Sequence, residues 1–153
     1  MKTIAFSILG IILIISCKKE DEPVDYTGTY KAVKLRSECT ETSKNVSRNF
    51  DAVSGELCNT VTGGQDCFNL TLTLNADLTY TLQTRIREIR ANGGLVTIKP
   101  ATDKGNYTVS DQTLTLCTPA NSCITMKATT TTGELDWLVG TSNNCNNIYT
   151  VRK

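Results

Sequence analysis

Two runs of strict alternation constrain this chain more than any other feature. Leu70-Thr71-Leu72-Thr73-Leu74 alternates apolar with polar side chains, Asn75-Ala76-Asp77 supplies turn formers, and Leu78-Thr79-Tyr80-Thr81-Leu82-Gln83-Thr84 alternates again. An extended chain sends successive side chains to opposite faces, so each run reads as a strand with one buried and one wet face. A helix made of the same residues would spread its leucines around the whole circumference. The short turn makes the pair an antiparallel hairpin with Leu70, Leu72, Leu74, Leu78, Tyr80 and Leu82 on its buried face. The even-numbered register extends to Ile86, with Arg85 and Arg87 pointing outward. Ile89 breaks it, which predicts a bulge or the end of the strand.

The same signals recur along the chain. Asn92-Gly93-Gly94 is a turn before a short strand from Leu95 to Ile98. Asn106 to Ser110 and Thr113 to Leu116 form a hairpin around Asp111-Gln112. Cys123 to Ala128 returns from the loop 118–122, Glu134 to Val139 and Asn147 to Arg152 supply the last two strands, and Tyr26 to Leu35 the first. The 25 Thr suit strands better than helices. No repeat, linker or low-complexity block divides this part. The fold class is therefore all-β: an antiparallel meander of eight or nine strands. A sheet of that size with one apolar face pairs with a second sheet or closes into a barrel, which removes its free edges. An immunoglobulin-like sandwich fits less well, because its buried Trp lies between two paired Cys in mid-domain, and the single Trp here is the late Trp137.

The chain begins differently. Lys2 precedes an almost unbroken apolar run from Ile4 to Ile15. About a dozen residues is short for a ~30 Å hydrocarbon core but fits the apolar region of a secretory signal peptide. The run ends Leu13-Ile14-Ile15-Ser16-Cys17, which resembles the lipobox of bacterial lipoproteins: aliphatic residues, a small residue, then Cys. The resemblance implies cleavage before Cys17 and acylation of Cys17 with chains such as palmitate. Each buried methylene contributes about 0.8 kcal/mol, so two or three chains anchor stably. The expected organisation is a signal peptide over 1–16, a lipidated tether over 17–25 and a β-barrel domain over 26–153. Lys18-Lys19-Glu20-Asp21-Glu22-Pro23 reads as a solvated tether. A Lys followed by acidic residues also resembles a surface-export signal of some Gram-negative lipoproteins, and position 18 lacks the acidic residue that favours inner-membrane retention. The expected address is the outer membrane, on its outer face, with the periplasmic face as the alternative. Removing 1–16 takes only Lys2 from the charged set, leaving a mature net charge of zero. Such a chain lacks the basic face a nucleic-acid partner requires.

Four segments of the domain resemble small bacterial lipocalin-like lipoproteins. Gly28-Thr29-Tyr30-Lys31-Ala32-Val33 is similar to their opening "G-T-W-x-x-V" strand, with Tyr30 in place of Trp. Leu72 to Tyr80 is similar to their "x-F-x-x-D-G-T-Y" hairpin, with Leu78 at the turn glycine. Lys104-Gly105-Asn106-Tyr107-Thr108-Val109 through Leu116 is similar to their "G-x-Y" hairpin, and Ile148 to Lys153 to their final strand. The motifs fall in the family's order. The resemblance implies a lipocalin-like barrel and a small apolar or amphipathic ligand held in its interior or at its open end. Tyr30, Leu72, Tyr80, Leu82, Tyr107, Leu116 and Trp137 are the candidate lining residues.

Seven Cys is an odd number for an exported chain, and lipid on Cys17 leaves an even six. These read as three disulfides with fifteen connectivities open. The meander narrows them. Cys117 and Cys123 flank one loop, Cys58 and Cys67 bracket Gly63-Gly64, and Cys39 is left for Cys145, since first and last strands are neighbours in a closed barrel. The chain has no Cys-x-x-Cys and no His, so a metal or redox reading of these six is weak and no cofactor is expected.

The lack of His also excludes Ser-His-Asp and Cys-His catalysis. Carboxylates at Asp51, Glu56, Asp66, Asp77, Glu88, Asp103, Asp111, Glu134 and Asp136 lie mostly in turns or beside Lys and Arg, and no spacing singles out a hydrolytic pair. A binding protein, not an enzyme, is the expectation, monomeric and with a small lipophilic ligand. The alternative is a cell-surface protein-interaction or accessory module with a filled core, using the long polar segment from Cys39 to Cys67 as its contact loop.

Overall fold

The alternating runs become strands that are longer than the alternation itself. A computed structural model describes residues 24–97, 100–129 and 133–153, with backbone only at 95–97. Cys17, the expected signal peptide and the first part of the tether lie outside the described residues. The strands are β1 (Gly28–Cys39), β2 (Val46–Asn49), β3 (Leu57–Val61), β4 (Gly64–Leu74), β5 (Thr79–Arg90), β6 (Leu95–Thr97), β7 (Ala101–Ser110), β8 (Thr113–Cys117), β9 (Cys123–Thr129), β10 (Glu134–Ser142) and β11 (Cys145–Arg152). One 3-10 turn, Thr42–Lys44, follows β1.

Every pairing is antiparallel. The order β1-β11-β10-β9-β8-β7-β5-β4 closes when β4 returns to β1, with Gly28 opposite Leu74 and Lys31 opposite Thr71. This is an eight-stranded barrel, the architecture implied by the lipocalin resemblance. The first and last strands are neighbours, as a closed meander requires. At the near end, where β1 begins, lie Val24, the turns at 75–78 and 111–112, and the C-terminus. At the far end lie the loops 40–45 and 118–122, the turn at 62–63 and the turn at Asn143-Asn144.

The barrel is complete only over its near half. β1 is irregular at Val33, where it exchanges β4 for β2. Along β4, residues 71–74 pair with β1, whereas residues 64–68 pair with β3. Towards the far end β1 and β4 therefore diverge, and β2 and β3 fill the wedge between them. The segment from Cys39 to Cys67, expected as a loop, holds these two strands. They were illegible because they are short and polar: Val46-Ser47-Arg48-Asn49 buries no residue, and Leu57 alone is buried in β3.

The register expectations at Leu78, Ile86 and Arg87 are corrected. Leu78, expected on the buried face, occupies a left-handed turn position (φ 63°) and is 54% exposed. The β4–β5 ladder runs unbroken from Leu74–Tyr80 to Gly64–Arg90, so there is no bulge at Ile89, which stands one residue from the strand's end. Past Thr84, β5 leaves β7, and Ile86 is exposed rather than buried. Arg87, expected outward in water, is instead partly covered and ion-paired with Glu56 of the turn before β3.

Candidate functional site

The interior of an eight-stranded barrel is just wide enough for its own side chains to fill or for one small ligand. Here Leu70, Leu72, Leu74, Leu114, Leu116, Met126, Leu135 and Val151 are all sealed from solvent, with relative exposures of 0–1%. Six of the seven candidate lining residues belong to this same packed cluster: Tyr30, Leu72, Tyr80, Leu82, Tyr107 and Leu116. Two of their polar tips are already engaged. Tyr30 donates its hydroxyl to the Tyr26 carbonyl at 2.8 Å, and Tyr107 donates to the Asn75 carbonyl at 2.9 Å. Burial pushes both phenols above their ordinary pKa, so they stay neutral donors.

The seventh, Trp137, is half-buried and packs against the edge of this cluster. It packs on Tyr149 with ring centroids 6.2 Å apart, and Tyr149 stacks on Phe68 at 5.3 Å. Phe50 meets both Phe68 and Tyr149 edge-on or tilted, at 6.3 and 6.2 Å. Phe50 follows β2, Phe68 lies on β4, and Tyr149 and Trp137 face each other across β11 and β10. These rings form the far-end floor of the core. Phe50, Phe68 and Tyr149 were not singled out from sequence. The available signal was Tyr149 standing two residues before Val151 on a closing strand; Phe50 sits in a polar segment without periodicity.

The three disulfides are Cys39–Cys145, Cys58–Cys67 and Cys117–Cys123. Each joins residues directly opposite in a ladder. Their Cα separations of 3.9, 4.0 and 4.1 Å are those of narrow pairs, in which both residues turn their backbone groups away from each other. Cys39–Cys145 and Cys58–Cys67 lie in the far half, and Cys117–Cys123 closes the 118–122 loop. Glu56 places a carboxylate oxygen within 4.8 Å of the Cys58 and Cys67 sulfurs. Those sulfurs are bonded to each other and Glu56 is paired with Arg87, so the group offers no free ligands.

On the outer wall, charged side chains form a network over β1, β11 and β10. Arg36 on β1 reaches over β11 to Asp136 on β10, with Nη1 and Nη2 donating to the two carboxylate oxygens at 3.0 and 2.7 Å. Thr150 lies between them, donating to Asp136 at 2.7 Å and accepting from Arg36 at 2.7 Å. These bonds hold the Asp136 carboxyl below the usual carboxylate range. A shallow groove of about 390 Å³ runs beside them, lined by Lys127, Leu138 and Ile148. A larger cleft of about 650 Å³ opens on the opposite wall between Thr79, Lys104, Asn106 and the 118–122 loop. Both are outside the barrel. Asp51 and Asp77 cap their own turns, and the hydrogen bonds they accept from Ser54 and Thr79 lower their pKa values.

A lipocalin-like ligand-binding module is compatible with this barrel at the level of fold. Compared with protein-family models, with curated proteins and with solved structures, the chain matches none.

Proposed function

We propose that the chain is a lipid-anchored barrel of the outer membrane that serves as a protein-interaction or accessory module, its core filled by its own side chains. The observation that carries this is the burial of the six interior candidates, none more than 4% exposed. A lipophilic ligand would need roughly 300 Å³ or more, and leucines packed on every side would have to leave the core to supply it. The lipobox-like Leu13-Ile14-Ile15-Ser16-Cys17 supports the anchor, and Lys18 to Asp21 supports the outer face. The tether enters at the near end, which leaves the disulfide-stapled far end directed away from the membrane.

The test is native mass spectrometry of the full chain in detergent after incubation with lipid extract. Only the covalent acyl mass is expected, and a stoichiometric non-covalent lipid would overturn the filled-core reading. Cys17→Ser is expected to remove the acyl mass and release the chain from the membrane; a membrane-bound variant of unchanged mass would sink the anchor.

One observation favours a second reading, in which a small apolar or amphipathic molecule is held at the far end. The rings of Phe68, Trp137 and Tyr149 are half-buried rather than sealed. Trp137 is the single Trp, so such a molecule would quench or shift its emission, whereas a partner bound elsewhere would not.

A further inference from the structure

Between β2 and β3 the sheet is interrupted. Among the described residues the two strands exchange no ladder hydrogen bonds, and nearly all of their Cα pairs stand more than 8 Å apart. They are joined at one point of their base, where Asp51 N–H donates to the Glu56 carbonyl at 2.8 Å. Two ladder spacings amount to about 9.6 Å, the room one extended chain occupies between two edges.

The backbone groups that face this seam follow from the register. Cys58 and Cys67 form a narrow pair, so Cys58, and by alternation Thr60, turn both N–H and C=O away from β4 and into the seam. On the other side Phe50 N–H bonds the Val33 carbonyl of β1, so Ser47 and Asn49 turn theirs into the seam. Ser47, Asn49 and Thr60 are exposed. The Cys58 carbonyl is met by a side chain instead of a strand: Arg48 Nη2 donates to it at 2.7 Å, while Nη1 bonds Asn59 Oδ1. An unpaired edge is a template for another strand, and here two such edges face each other.

We propose that the β2–β3 seam takes up one extended peptide segment of a partner protein, which pairs with both edges and displaces the Arg48 guanidinium. The inference rests on the interaction reading above and names its partner by the chemistry that would recognise it: main-chain amides, alternately spaced. Apolar side chains on one face of the incoming strand would lie over Phe50 and Phe68, and polar ones on the other face would meet water. Arg48 acts as a latch that satisfies one carbonyl while the seam is empty.

The experiment follows backbone amide signals of the isotope-labelled full chain in detergent as an acetylated, amidated valine–threonine alternating peptide is added. Shifts and slowed amide exchange at Ser47, Asn49, Cys58 and Thr60 are expected. Thr60→Pro removes a seam-facing N–H while leaving the β4 ladder intact, so it should keep the fold and weaken the peptide by about tenfold or more. Arg48→Ala should tighten it severalfold. Equal affinity for the native chain and Thr60→Pro, with the barrel signals unchanged, would overturn the seam, as would no shifts at any position. Shifts confined to the groove at Leu138 and Ile148 would overturn the seam and leave the interaction reading standing. Retained lipid in the mass measurement above would overturn that reading separately.

Discussion

Arg36 and Asp136 sit on strands that are not neighbours, yet the guanidinium and carboxylate meet in a two-point pair laid across β11. The pair fastens three consecutive strands on the outer wall, with Thr150 of the middle strand bonded to both partners. Each side chain is about a quarter exposed, which places the pair between a solvated surface bridge and a buried one. Asp136→Asn is expected to cost about 1 kcal/mol at neutral pH. The carboxyl is held below its ordinary value of 3.8, chiefly by hydrogen bonds from Arg36. A folded-state pKa lower than the unfolded one adds stability above the unfolded value, and that stability is lost as the pH falls through the folded value. Urea titrations should show the two proteins separated at neutral pH and converging as the pH falls through and below 3.8, the carboxyl's ordinary value; a gap that persists in strong acid would contradict the assignment.

The disulfides should rank by the loops they close. Cys39–Cys145 spans 106 residues, against 9 for Cys58–Cys67 and 6 for Cys117–Cys123. Loop entropy assigns the long link about 4.8 kcal/mol and the two short ones about 2.7 and 2.4 kcal/mol. Replacing both cysteines of one link by Ala at a time and comparing urea midpoints checks the order. A short link proving the costliest would mean that local geometry at the far half, not chain entropy, dominates.

Leu78 carries a backbone conformation that suits glycine. At φ 63° its Cβ crowds the following carbonyl, at a cost of roughly 1–2 kcal/mol. Its side chain is mostly in water and returns little through burial. Leu78→Gly should therefore raise stability, by about 1 kcal/mol after the larger unfolded-state entropy of glycine is counted. A lower melting temperature for that variant would show that the Leu78 side chain is held by contacts of its own.

A filled interior, as proposed above, sets a contrast between two leucines. Leu72→Ala removes a side chain with 0% exposure and should cost about 2–5 kcal/mol in transfer and cavity terms. Leu138→Ala, on the outer wall and 52% exposed, should stay within about 0.5 kcal/mol. Equal small losses at both positions would indicate a loose interior with room for a guest.

Much of the barrel was legible because alternation is a local signal. Leu70 to Leu74, Tyr80 and Leu82 have the period of a strand whatever they pack against, and the turn residues between runs state that neighbours are antiparallel. The pairing of the six domain cysteines followed from the same logic, since a closed meander brings its first and last strands together. The far half was not legible. β2 and β3 are short and polar, held by β1 and β4 rather than by any apolar face of their own. Ile86 continued an apolar register that the strand carried beyond the barrel. Leu78 was read as buried because alternation is blind to φ.

By itself the sequence determined the fold class and the antiparallel order and narrowed the pairing of the cysteines, all consequences of a two-residue period and of chain neighbours meeting. Only the tertiary structure decided which side chains the interior buries, because that depends on how side chains from eight strands meet across the axis. It alone also decided where the sheet divides. A strand edge is left open when its neighbours diverge in space, and no run of residues records that divergence.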